Sequence, residues 1–184
     1  MDTATLVVAA VLGLSAPAVA DMQAERAGAL PDDALTPGYA NPKVTADNLQ
    51  KTVCKAGWAL KAQPQGKYLS KITLLQIRNY GVAEKDAAKY VMDFRIPLSV
   101  GGHPTDPANL WPQRKDVAWN AVVKNKLETY VQSELCAGHM SLKDAQGVFQ
   151  KNWIDVFQLY CGPKPDAKCN PPGTAVQIET PTKR

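Results

Sequence analysis

The chain has 184 residues, 21 Lys and Arg against 17 Asp and Glu, and a net charge of +4 at neutral pH. That length allows one compact domain with a real core and is too short for two comfortable ones once an export signal is removed. The modest positive charge tolerates a nucleic-acid partner without demanding one.

Residues 1–20, MDTATLVVAAVLGLSAPAVA, contain the apolar run Leu6 to Leu14 and end in Ala18-Val19-Ala20, the small-x-small pattern cut by a signal peptidase. The n-region departs from the usual pattern in carrying Asp2 and no Lys or Arg. Because the apolar run is shorter than the ~20 residues that span a bilayer, the reading is an export signal rather than an anchor. The expected mature start is Asp21, in the periplasm or secreted, with no membrane attachment after cleavage.

Residues 21–43 place three prolines in the stretch PDDALTPGYANPK and read as an extended N-terminal arm without a core of its own. Thr45 is placed to cap a short helix through Thr52. The apolar positions Leu69, Ile72, Leu75 and Ile77 predict a helix from Leu69 to Tyr80, capped by Ser70 and stopped by Gly81. Tyr90 to Val100 is rich in β-branched and aromatic types, ends at Gly101-Gly102, and reads as a strand or hairpin arm with Pro97 at an edge or bulge. A loop with Pro104, Pro107 and Pro112 follows. Val117, Val122, Val123, Leu127, Tyr130, Val131 and Leu135 line one face of a helix from about Asp116 to Leu135, ended by Gly138. His139, just past this stop, suits a C-terminal dipole partner. Ser141 and Asp144 form a variant capping box for a further helix through Val148, Phe149, Trp153, Val156, Phe157 and Tyr160. From Gly162 the chain is a Pro-rich C-terminal tail, 162–184, a stapled loop and a frayed end. No internal repeat is evident.

Four cysteines behind an export signal, Cys54, Cys136, Cys161 and Cys169, imply two disulfides. A zinc site is the weaker reading, because no pair is spaced C-x2-C and both histidines are remote from paired cysteines. Of the three pairings, Cys54–Cys136 and Cys161–Cys169 are preferred. The latter two flank the short loop GPKPDAK, and the former both fall at helix ends.

A strand carrying Asp93, a glycine turn, a loop carrying Asn109 and a helix opening near Asn120 are then in a suggestive order. The strand reads Asp93-Phe94-Arg95-Ile96-Pro97-Leu98, followed by Gly101-Gly102, Asn109-Leu110-Trp111-Pro112 and Lys124-Asn125-Lys126-Leu127-Glu128. With Ala145-Gln146, Trp153 and the lead-in NPKVTADNLQKTVCKAGW, this resembles the exported bacterial HNH, or His-Me finger, endonucleases over most of the mature chain. The family's usual strand has His where this chain has Phe94, and its helix has Asp where this chain has Asn125.

The resemblance implies an α+β fold with a small ββα-metal core, additional helices and disulfide staples, spanning 44–161 as a nuclease domain. It implies single-metal phosphodiester hydrolysis, in which a divalent cation, Mg or Mn, stabilises the leaving oxygen while a histidine takes a proton from water. Asp93 and, through its amide oxygen, Asn120 would be metal ligands, and Asn109 would brace the loop and orient the base. Phe94 has no proton acceptor, and general-base catalysis contributes ~10²–10⁴-fold in rate, so hydrolysis is expected to be weakened or lost. His103 is the nearby imidazole that would have to substitute as base, unless it is simply bonded to loop backbone. Arg95, Arg114, Lys115, Lys124 and Lys126 suit phosphate contacts, with DNA ahead of RNA as the partner. Two classes of function remain: a metal-dependent nuclease with an unorthodox base, or a degenerate nuclease fold that binds nucleic acid or protein in the cell envelope.

Overall fold

The structure, a computed structural model, describes residues 26–169. The export signal, the start at Asp21 and the end of the Pro-rich tail lie outside the described residues. Within them the chain is α+β, with one small antiparallel two-stranded sheet, several helices and two disulfides. No helix among the described residues is long and apolar enough to cross a membrane.

Residues 26–43 differ from the expected free arm, because they are built into the domain. Ala29 and Thr36 are fully buried, and the Ala29 carbonyl accepts a 2.8 Å hydrogen bond from the Trp153 indole. Further along, Gly38 N–H donates to Ala108 and Asn41 N–H to Gly101, while Ala40 and Gly102 form an isolated bridge. The prolines keep this segment extended, and its backbone groups find partners in the loop that follows the first strand.

A 3-10 turn, Ala46–Lys51, stands where the Thr45-capped helix was expected. Helices α1 (Trp58–Ala62) and α2 (Gly66–Asn79) follow. Helix α2 begins about one turn before Ser70, whose hydroxyl bonds back to Gly66 from inside the helix. Its stop is as expected, with Gly81 at φ +65°.

Strand β1 (Tyr90–Phe94) pairs antiparallel with β2 (Leu110–Arg114), placing Asp93 opposite Trp111 and Phe94 opposite Leu110. The expected strand through Val100 ends at Phe94, and its partner is the segment that the prolines had assigned to a loop. A strand in a two-stranded sheet has a free edge, where a proline such as Pro112 breaks no ladder bond if its ring nitrogen faces outward. Helix α3 (Ala121–Cys136) runs on from β2 after a short turn, capped by Asn120. The expected long helix after Ser141 divides into α4 (Leu142–Gln150) and α5 (Trp153–Tyr160). Asn152 makes the break by accepting a new cap bond from Ile154 N–H at 3.1 Å.

Leu127, Val131, Phe149, Trp153, Ile154 and Phe157 are buried in the core between α3, α4 and α5. Trp119 packs edge-on against Trp153 and Phe157, with ring centroids 6.1 and 5.4 Å away, the arrangement that aromatic quadrupoles favour. Both disulfides join as the sequence suggested, Cys54 to Cys136 and Cys161 to Cys169.

Candidate functional site

The loop between β1 and β2 is held by one side chain. Asn109 is completely buried. Its Oδ1 accepts from Ile96 N–H at 2.8 Å and Tyr39 N–H at 3.3 Å. Its Nδ2 donates to the Ile96 carbonyl at 2.9 Å and the His103 carbonyl at 3.0 Å. Two donors and two acceptors of the amide are thus in use, and the loop backbone closes around them. Gly102 completes the closure, since a Cβ there would lie 1.8 Å from the Ile96 carbonyl oxygen. From the other side Gln76 on α2 donates to the carbonyls of Pro107 and Leu110, at 2.7 and 2.5 Å. Asn109→Ala strands the buried Ile96 N–H and C=O, at about 1–3 kcal/mol for each unsatisfied group. A loss of roughly 2–6 kcal/mol in urea unfolding is expected; no loss would mean that the loop holds without this amide.

His103 is part of the same loop. Its Nδ1 accepts from the backbone of Thr105 at 3.2 Å and Asp106 at 2.9 Å, and its ring stands edge-on to Tyr39. The imidazole nitrogen nearest the loop is therefore committed to backbone.

Asp93 and Phe94 end β1 beside the first turns of α3, where Lys124 is buried. The Lys124 side chain is 1% exposed. Its Nζ lies 2.9 Å from Asp93 Oδ2 and 2.7 Å from Glu128 Oε1, one helical turn on. It also donates to the Phe94 carbonyl at 2.8 Å, and the Phe149 ring centroid is 5.3 Å away. Burial by itself would lower the pKa of Lys124, but the Asp93 and Glu128 carboxylates outweigh it and the net direction is upward. Burial raises the Glu128 pKa, with the Lys124 ammonium opposing and Asp93 reinforcing. One ammonium thus serves two carboxylates and a carbonyl, with the ammonium itself buried.

These residues do not fit a divalent cation held by Asp93 and Asn120. Asp93 is already paired with an ammonium. The Asn120 amide oxygen accepts from Val122 and Val123 N–H at 3.0 and 3.3 Å, capping α3, while its Nδ2 donates to the Val117 carbonyl. That oxygen is spent on the helix N-terminus. Among the described residues no group of three His, Cys, Asp or Glu comes together.

A cleft of about 350 Å³ opens beside the cluster, lined among others by Leu60, Val91, Asp93, Phe94, Asn125 and Glu128. No histidine lines it. Phe94 contributes to an apolar wall with Leu60 and Val91, which are exposed at 73% and 38%.

The five cations expected to meet phosphate do not form a common surface. Lys124 is buried in the ion cluster. Arg95 is buried as well, donating to the carbonyls of Thr36 at 2.7 Å and Gln150 at 2.6 Å and pairing with Asp33. For both, the structural role corrects the expectation of an accessible phosphate contact. Arg114 makes a bidentate pair with Asp116, and Lys126 donates to the Pro165 carbonyl in the stapled loop. Lys115 is exposed. His139, expected near the end of a helix, lies 3.4 Å from Glu134.

Glu128 was visible in the sequence without a role. The signal for it was the i,i+4 spacing from Lys124, together with a lysine falling on the same helix face as Leu127 and Val131. No protein-family model, no curated protein and no solved structure matches the chain.

Proposed function

We propose that this chain is a degenerate member of the exported HNH, or His-Me finger, type, in which a ββα segment is retained as scaffold and phosphodiester hydrolysis is lost. The observation that carries the reading is the Lys124 ammonium, held between Asp93, Glu128 and the Phe94 carbonyl where the resemblance would put a divalent cation. A fixed ammonium satisfies Asp93 electrostatically. It offers no open coordination position for a phosphate oxygen or an attacking water, which metal-assisted hydrolysis needs. The phenyl ring of Phe94 removes the base as well.

The protein then acts in the cell envelope as an interaction module, and a protein partner is favoured over nucleic acid. Nucleic-acid binding draws on several accessible cations in one footprint, and four of the five candidates are buried or internally engaged. The cleft beside Phe94 offers apolar surface instead. Two disulfides suit an oxidising compartment, as the export signal implies.

Nicking of supercoiled plasmid and degradation of RNA, each with Mg²⁺, Mn²⁺ or EDTA, test the loss of hydrolysis. The expected result is no metal-dependent cutting by the wild type. Phe94→His should stay inactive too, because restoring an imidazole leaves Asp93 paired with Lys124. Wild-type cutting abolished by Asp93→Ala would overturn the reading, and its further loss in His103→Ala would show that His103 had become the base.

A further inference from the structure

The Lys124 cluster also brings a primary amine against a carboxyl group in a largely buried site. We propose that Lys124 and Asp93 condense to form an isopeptide cross-link between α3 and β1, with Glu128 as the proton carrier. This rests on the reading that no divalent cation shares Asp93.

Three features of the geometry point to the bond. Nζ and Asp93 Oδ2 are 2.9 Å apart, with side-chain exposures of 1% and 13%, so the reacting groups are in contact and shielded. Contact of this kind replaces a bimolecular encounter with an intramolecular one. Glu128 Oε1, 2.7 Å from the same nitrogen, is within reach of the proton to be removed, and its carboxylate and that of Asp93 share this one ammonium. The Phe94 carbonyl, at 2.8 Å, and the face of Phe149 hold the nitrogen in place. The ion pair is the resting reactant, so the reaction is a slow single turnover that follows folding.

The atoms balance without any outside reagent. Glu128 takes one proton from the ammonium and passes it to an Asp93 carboxylate oxygen. The freed lone pair of Nζ attacks Asp93 Cγ, forming the C–N bond. The tetrahedral carbon then expels its hydroxyl as water, using a second nitrogen proton carried by Glu128, as the C–O bond breaks. One proton remains on the amide nitrogen, nothing is oxidised or reduced, and net charge is unchanged. The driving force is desolvation: one ammonium and one carboxylate, both expensive to keep out of water, become a neutral amide, and Glu128, left without its counter-ion, is the partly exposed member of the cluster at 18%.

The test is the intact mass of the exported, purified protein after full reduction of its disulfides, followed by peptide mapping. The expected mass is lower than the sequence mass by one water. Trypsin should fail to cut after Lys124 and should release a branched peptide containing both Lys124 and Asp93. Glu128→Gln, which keeps the side-chain shape, should fold and retain the full mass. A full mass for the wild type after prolonged incubation would overturn the proposal, as would a lost water confined to a single peptide, the mark of a cyclised Asp or Asn. Complete cross-linking in Glu128→Gln would overturn the role of Glu128. A full mass without plasmid nicking sinks this inference alone, whereas Asp93-dependent nicking sinks the reading beneath it.

Discussion

Replacing Lys124 by methionine is expected to destabilise the protein by about 3–5 kcal/mol, the usual loss when one partner of a buried ion pair is removed. Methionine keeps most of the aliphatic stem, so the loss is electrostatic: Asp93 and Glu128 are left without a counter-ion in a largely buried site. In cross-linked protein the lost covalent bond adds to the effect. A triple variant, Lys124→Met with Asp93→Asn and Glu128→Gln, should recover much of the stability, because neutral groups need no counter-ion.

The ion pair also sets the pH response. The folded-state pKa of Lys124 lies above its ordinary 10.5, so its contribution is fully present below that value and disappears as pH climbs through the folded pKa. Glu128 behaves in the opposite way from a surface carboxylate. Its folded pKa is raised above 4.5, so its contribution to stability is largest below that value and is lost as pH rises through the folded pKa. Urea unfolding across the alkaline range, for wild type and Lys124→Met, checks the first of these. Wild type that still has its full mass should lose its advantage at strongly alkaline pH, whereas cross-linked protein, with no ammonium to titrate, should keep it; an unchanged difference for full-mass protein would mean that the cluster is not an ion pair.

Removing the Cys54–Cys136 disulfide is the second large expected effect. The bond joins residues separated by 82 positions, and the loop-entropy relation gives about 4.5 kcal/mol for such a closure. Domains of this size are stable by only about 5–15 kcal/mol, so Cys54→Ser with Cys136→Ser should bring the protein close to unfolding at 37 °C. The Cys161–Cys169 bond spans 8 positions and should matter less, roughly 2–3 kcal/mol by the same relation. Denaturant unfolding of the two paired variants measures both, and equal losses would contradict the loop-length argument.

Much of this architecture was legible in the residues. The helix stops at Gly81 and Gly138 and the cap at Ser141 follow from local chemistry that tertiary contacts leave unchanged, and the preferred disulfide pairing is the one the fold makes. A bracing role for Asn109 came from the resemblance alone, since by itself an Asn in a loop reads as a turn or cap residue; its amide is bonded to the Ile96 and His103 backbone. Strand β2 was hidden by Pro112, a residue that excludes a central strand but not one in a two-stranded sheet. The split of the last long helix depended on Asn152 competing as a cap within an otherwise unbroken apolar pattern.

The candidate site was less legible for a different reason. Lys124 and Arg95 look like surface cations in a linear sequence, and their burial is decided by what α3, β1 and segment 26–43 place around them. Glycines 101 and 102 marked a close approach without saying what approaches. The neighbour at Gly102 is the Ile96 carbonyl, within the same loop.

The central claim is that the Lys124 ammonium stands where a divalent cation would be needed. It is tested most directly by calorimetric titration of Mn²⁺ into the wild type and Asp93→Ala. The account predicts no saturable heat that depends on Asp93. Stoichiometric Mn²⁺ binding to the wild type, abolished in Asp93→Ala, would show that the carboxylate is free to hold metal and would contradict it.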